Sequence, residues 1–412
     1  MSTDWFQCAV SYFFRNYVLA PKNGFPGYYP FLPQLYESNP EAGYFRNSVE
    51  AIALATFARV KDMTPSYFSR SRQSYGLAVS QLRSVLNNAS EAYSSAPVAA
   101  VVLLWKYDVI IGEDKLEYGS PHRHGMQAIL HARLASEADG DRQINRYVLA
   151  TTQLQNVNEP LSSAGPASAI APSPPYGPGL ALIEGLLPRL GNIGIANAKL
   201  LQGKPPNRVE AAECVRQVRH LLKDLKTWET SLPERWRYKP YPNPTATSAR
   251  PFPVTALVFP TLPVGGVWVA KWLAQLSVLR NLILLAPIAL EMGTPCQPLI
   301  EIREQVRSVA VLLCSASQPA VLLCSAVPYL LGNVADDGQG KDAEDTPDIG
   351  AFFAVRALFV AAKLPMLSEE QVSWMLDRLE EIGRERGIHR ALLLRESLIE
   401  RGTDLRPVPG RV

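Results

Sequence analysis

Apolar residues in this chain recur three and four positions apart, the spacing of an α-helix, in one segment after another. From Trp5 to Tyr17 the residues Phe6, Ala9, Val10, Phe13, Phe14 and Tyr17 make one amphipathic face. The run Val49 to Val60 is rich in alanine and apolar on most sides, as expected of a helix packed among other helices. Tyr67 to Leu86 continues the pattern with Tyr75, Leu77, Ala78, Leu82 and Val85 inward. Ala96 to Ile111 is nearly all apolar. Val101 and Val102 suit a strand, but the Ala, Leu and Trp content and a length of about four turns favour a central buried helix. After Pro121, His124 to Leu134 reads as the next helix. The fold class that follows is all-α, a bundle of orthogonal and antiparallel helix pairs joined by proline-rich loops.

Prolines mark where the helices stop. Glu159 to Gly179 carries six of them among Ser, Ala and Gly, Lys239 to Pro263 carries seven, and Asn333 to Asp348 is acidic and contains glycine. These stretches divide the 412 residues into an N-terminal helical block (1–155), a loop (156–180), a middle helical block (181–332) with a proline-rich insertion (239–263), an acidic loop (333–348) and a C-terminal helical block (349–412). Ser368 and Gln371 have the spacing of a capping box, and Val372, Met375, Leu376, Leu379 and Ile382 then line one face. Gly383 and Gly387 are expected to end that helix. The hexapeptide Val311 to Ala316 recurs ten residues later at Val321 to Ala326, too short a period for a solenoid and best read as a local duplication or an error in the gene model.

Composition removes several function classes. A chain 47% hydrophobic and 19% charged can bury a large core, and 41 basic against 38 acidic residues leave a net charge of +3, far from the concentrated positive field that binding nucleic acid by charge requires. The five cysteines, Cys8, Cys214, Cys296, Cys314 and Cys324, are scattered in apolar surroundings and read as reduced core thiols of an intracellular protein. The sequence Met-Ser-Thr-Asp-Trp-Phe-Gln at the start has neither the basic nor the apolar region of a signal peptide. Val267 to Leu290 is interrupted by Lys271, Gln275, Arg280, Asn281 and Pro287, so a buried helix pair is expected there and no membrane span.

No self-sufficient catalytic motif is present. His122, His124 and His131 form the one histidine cluster, but no H-E-x-x-H, cysteine pair or placed carboxylate joins them, so no metal site and no cofactor is expected. His220 and His389 stand alone and read as solvated helix residues. Cys314 and Cys324 have leucine-rich flanks that imply burial and an inert thiol. There is no G-x-S-x-G elbow or phosphate-binding glycine loop, and Gly177-Pro178-Gly179 lacks the preceding strand of a dinucleotide site. The pairs Glu113 with Asp114, Asp336 with Asp337, and Glu369 with Glu370 read as solvated or dipole-compensating charge. Trp105, Trp268 and Trp272 lie in apolar helices, the last two four apart on one face. Core packing accounts for them. The alternative is an aromatic-lined pocket for a small hydrophobic molecule, with Trp105, His124, Trp268, Trp272 and Arg280 as its first candidates.

Taken in order, several of these segments resemble the regulatory region of fungal zinc-cluster transcription factors, in particular the fungal-specific transcription factor domain of the second type. The matching stretches are Gln7 to Val18; Gly27 to Tyr36, Gly-Tyr-Tyr-Pro-Phe-Leu-Pro-Gln-Leu-Tyr; Val49 to Arg59; Tyr75 to Leu86; Leu103 to Asp108, where Asp108 replaces the family's usual glutamate; and His124 to Arg133. They continue through Leu232-Pro-Glu-Arg-Trp236, Trp272 to Leu285, Ser325-Ala-Val-Pro-Tyr-Leu-Leu-Gly332 and Trp374 to Gly387. Members of that family carry an N-terminal cluster of six cysteines that binds two zinc ions and places a helix in the major groove. Here Cys8 is the only cysteine in the first two hundred residues.

The resemblance implies one regulatory unit, nuclear, that modulates expression of a metabolic or secondary-metabolite pathway by binding a small hydrophobic effector or partner proteins, without sequence-specific DNA contact of its own. It also implies partnership, as a homodimer or as a heterodimer with full-length zinc-cluster regulators. A first exon lost from the gene model and a naturally truncated regulator are rival accounts of the missing cysteines. Two other readings stay open: a cofactor-independent cyclase or isomerase acting by binding and orientation, and an oligomerisation scaffold.

Overall fold

The alanine- and leucine-rich runs fold as their spacing requires. In the computed structural model of the chain, the described residues are 5–22, 27–61, 65–88, 94–112, 208–248, 250–291, 318–341, 346–364 and 367–400, with single positions at 122, 125, 129, 186 and 189. They form α1 (Trp5–Tyr17), α2 (Leu32–Ser38), α3 (Gly43–Val60), α4 (Pro65–Leu86), α5 (Ser95–Ile111), α6 (Arg208–Ser231), a single 3-10 turn (Glu234–Trp236), β1 (Lys239–Pro242), β2 (Thr255–Val258) and α7 (Leu262–Glu291). These are followed by α8 (318–330), α9 (Ile349–Ala362), α10 (Glu369–Glu385) and α11 (Arg390–Glu400). The fold is all-α. The loop 156–180 and most of the expected helix from His124 to Leu134 lie outside the described residues.

α3 and α5 are buried on nearly every side, which explains why neither shows a polar face in sequence. Small side chains on α3 let its neighbours approach closely: it packs against α1, α4 and α5, and Ser71 of α4 donates to the Ala51 carbonyl at 2.8 Å. The inward stripe of α4 is Ser71, Ser74, Ala78 and Leu82. Leu77, expected inside, is 47% exposed, because that stripe turns it away from α3.

The proline-rich insertion 239–263 is more ordered than a loop. β1 and β2 pair antiparallel with Lys239 opposite Val258 and Pro242 opposite Thr255. Thr255 and Val258 supply β-branched side chains, and the two prolines are tolerated because, among the described residues, this ribbon has no further strand to receive their missing N–H groups. α7 is one helix of 30 residues, not the expected pair, and continues past Pro287. Among the described residues no helix is long and apolar enough to cross a membrane.

The C-terminal helices join the other two blocks. α9 packs on α7, and α10 and α11 pack on α9, while α10 also touches α3 and α11 touches α5. The capping box forms: Ser368 Oγ accepts from the Gln371 N–H at 3.2 Å and Gln371 Oε1 accepts from the Ser368 N–H at 3.0 Å. Gly383 does not end α10. It lies inside the helix where a Cβ would collide with Leu392 of α11, whereas Gly387, at φ +67°, follows the helix in the left-handed conformation. A buried polar network fastens the join. Tyr12 of α1 donates to Asp348 Oδ2. Arg386 Nη1 donates to Asp348 Oδ1 at 3.1 Å and to the Thr346 carbonyl at 3.3 Å, and Nη2 donates to the Leu331 carbonyl at 2.6 Å. Burial raises both the Asp348 carboxyl and the Tyr12 phenol; Tyr12 and Arg386 oppose the rise at Asp348, while Asp348 adds to it at Tyr12.

Candidate ligand-binding site

Three constructions deserve comparison as sites: an aromatic cluster on α7, a lysine enclosed by rings on α5, and an open cleft at the start of α7. In the first, Trp268 and Trp272 project from one face of α7 with ring centroids 5.4 Å apart, as their spacing of four requires. Tyr238 meets both, at 4.8 and 5.7 Å, and Trp228 of α6 meets Trp268 at 5.5 Å. The motif Leu-Pro-Glu-Arg-Trp forms the turn behind them, and Trp268 Nε1 donates to the Trp236 carbonyl at 2.8 Å. Trp272 is fully buried, and its Nε1 has no acceptor among the described residues.

Trp105 is also buried but stands apart, on α5. Next to it, Lys106 is 1% exposed. Its Nζ donates to Tyr28 Oη at 2.8 Å and faces the rings of Phe352 at 4.4 Å, Tyr28 at 4.8 Å, Tyr29 at 4.9 Å and Trp105 at 5.6 Å. Burial holds this amine well below the usual lysine range. The stretches Gly27 to Tyr36 and Leu103 to Asp108, separate in sequence, meet here, and α9 closes the box with Phe352. Of the remaining candidates, Arg280 lies on α7 but its side chain is outside the described residues, as is His124.

His122 is half-buried, with Nε2 2.7 Å from Tyr75 Oη, and burial lowers its pKa. His220 is exposed on α6. His389 is not a solvated helix residue: it is half-buried in the turn before α11, and its N–H donates to the Ile110 carbonyl at 3.0 Å. Cys324 is buried and its thiol raised by burial, whereas Cys314 lies outside the described residues. No group of three metal-ligating side chains occurs among the described residues.

The third construction was not visible in sequence. A cleft of 730 Å³ opens where residues 19–22 after α1, residues 260–263 at the start of α7, Tyr329 near the end of α8 and residues 334–337, 341, 346 and 347 come together. Leu19, Pro21, Leu262 and Val334 give it an apolar lining, and Lys22, Lys341, Asp336 and Asp337 stand around it. The antiparallel bridge between Leu19 and Tyr28 holds the first wall, with reciprocal N–H···O bonds of 2.9 and 2.8 Å. Thr346, on the third wall, is tied by its carbonyl to Arg386. Tyr329 lines the cleft and packs on Phe259 at 5.6 Å, and Phe259 packs on Trp272 at 6.4 Å, so the tryptophan cluster stands one ring behind this wall. The run Pro260-Thr-Leu-Pro263 suits a helix start, but nothing in it marks a cleft.

The chain is similar to a fungal transcription factor. Transcription factor dbaG of Emericella nidulans shares 24% identity with it across 408 residues, 94% of this chain and 90% of the relative. No family model matches the chain and no solved structure matches it.

Proposed function

We propose that this chain is a nuclear regulator of transcription built on the regulatory region of fungal zinc-cluster factors, of the second type, and that it controls a metabolic or secondary-metabolite pathway by binding an effector or partner proteins. The observation that carries the reading is the similarity to Transcription factor dbaG along nearly the whole length of both chains. A shared active site or short motif does not account for a match of that extent; a shared architecture does. In this reading sequence-specific DNA contact comes from a partner, a full-length zinc-cluster regulator with which this chain dimerises; the near balance of 41 basic and 38 acidic residues, and the scatter of the five cysteines, support it.

Deleting the gene and profiling transcripts tests the reading. A regulator's loss shifts a set of transcripts together. Unchanged transcripts with accumulation of one precursor overturn it in favour of the cyclase or isomerase. Chromatin immunoprecipitation tests the partnership: promoter occupancy is expected to vanish when the partner's zinc module is removed, and occupancy that persists assigns DNA contact to this chain.

A further inference from the structure

We propose that the cleft at the start of α7 is the effector site, and that it takes a neutral, mostly apolar molecule carrying a carbonyl or hydroxyl oxygen. The size fits: 730 Å³ lies within the range of pockets that enclose drug-sized ligands. The charges at the cleft cancel, Lys22 and Lys341 against Asp336 and Asp337, so the lining gives no net attraction to a charged ligand.

The polar specificity comes from Thr261. This residue immediately precedes α7, where a threonine hydroxyl ordinarily accepts from an N–H of the first helical turn. Pro263 at the second helical position has no N–H to offer and the Val264 N–H at the third does not reach it, so Thr261 Oγ1 makes no hydrogen bond although the residue is only 6% exposed. Oγ1 is closed to solvent as it stands, and a rotation about χ1 that turns it toward the cleft lined by Thr261 gives it the ligand oxygen that relieves the desolvation cost of a buried hydroxyl without a partner. The start of a 30-residue helix adds partial positive charge and favours the acceptor oxygen of a carbonyl or hydroxyl at the same place. The Tyr329 hydroxyl is already engaged by Asp336, whereas the buried Thr261 hydroxyl on the same lining makes no hydrogen bond.

The position of the cleft gives occupancy a route to the rest of the molecule. Its walls come from the N-terminal, middle and C-terminal sides of the chain, and Thr346 is fixed through Arg386 and Asp348 to Tyr12. A molecule seated there ties the three walls together and favours the arrangement in which that network is closed.

The term effector rests on the regulatory reading above; ligand binding does not. The test titrates the purified full chain with prodan, a neutral naphthalene ketone that is fluorescent in apolar surroundings, and compares two variants whose folding is checked by circular dichroism. Ala335→Trp fills the cleft from a half-buried position and is expected to abolish saturable binding. Thr261→Val keeps the shape, removes the hydroxyl and is expected to weaken binding about fivefold. Absence of saturable binding to the wild-type chain, or binding that a folded Ala335→Trp variant leaves unchanged, overturns the proposal. Cleft binding with unaltered transcripts in the deletion strain removes the regulatory reading and leaves the site standing.

Discussion

Lys106 and Lys271 stand on two long apolar helices, α5 and α7, and both are almost fully buried, at 1% and 3% exposure. Their surroundings solve the same problem in different ways. Lys271 Nζ lies 3.0 Å from Glu229 Oε2, with one ring, that of Trp268, at 5.4 Å. Lys106 has no carboxylate partner among the described residues; its amine meets one phenol oxygen and four ring faces. Burial lowers both amines, and at Lys271 the Glu229 carboxylate opposes the fall. In the middle of the chain the aromatic rings pack on one another and a salt bridge holds the charge. Near the N-terminus the rings themselves hold the amine, a weaker arrangement for a cation than a carboxylate.

The largest difference between the regions should appear when a ring is lost. Trp272→Ala takes a fully buried indole from a cluster where no charge depends on it, and is expected to lower stability by about 3–5 kcal/mol, read as a fall in the urea midpoint at constant slope. A loss near the cost of a surface substitution would mean that the ring lines open space instead of packing the interior. Glu229→Ala comes next. It leaves Lys271 buried without its carboxylate and should cost about 2 kcal/mol, a value discounted because the Glu229 side chain is 29% exposed.

Lys106→Met reverses the sign. It replaces a desolvated amine by an apolar side chain of similar length and is expected to raise stability at pH 7 by about 1–2 kcal/mol. Because the folded-state pKa of Lys106 is depressed, the unfolded chain binds the extra proton, so wild-type stability rises with pH above the folded value. The buried tyrosines, whose phenols are raised, keep their contribution below about pH 10 and lose it above, so the useful window is about pH 7 to pH 9.5. The slope of unfolding free energy against pH in that window should flatten in Lys106→Met. An unchanged slope would show that the amine is not what titrates.

The sequence revealed these regions unequally. Helical spacing located α1, α4, α5 and α10, and the pair Ser368 and Gln371 gave the cap of α10, because such signals are local. It also placed Trp268 and Trp272 on one face. It could not place Trp228, Tyr238 and Phe259 around them, since those residues arrive from a neighbouring helix and a ribbon hidden in a proline-rich stretch. Lys106 interrupted an otherwise apolar run, and that interruption was the available signal; its partners Tyr28 and Phe352 lie 78 and 246 residues away in sequence. The cleft is the extreme case. Its walls are loops, and its polar residue, Thr261, is distinguished only by the hydrogen bond it does not make, which no residue pattern encodes.

The smallest expected effect separates the two ways of holding an amine most cleanly. Tyr28→Phe keeps the ring over Lys106 and removes the single oxygen that the amine reaches, so it should cost about 1 kcal/mol, the net worth of one hydrogen bond. In the Lys106→Met background that oxygen has no amine to serve, and the same substitution should cost less. A double-mutant cycle on unfolding free energies therefore yields a coupling of about 1 kcal/mol if the phenol holds the amine. A coupling within the roughly 0.3–0.5 kcal/mol seen for independent sites assigns the amine's stability to the ring faces of Phe352, Tyr28, Tyr29 and Trp105.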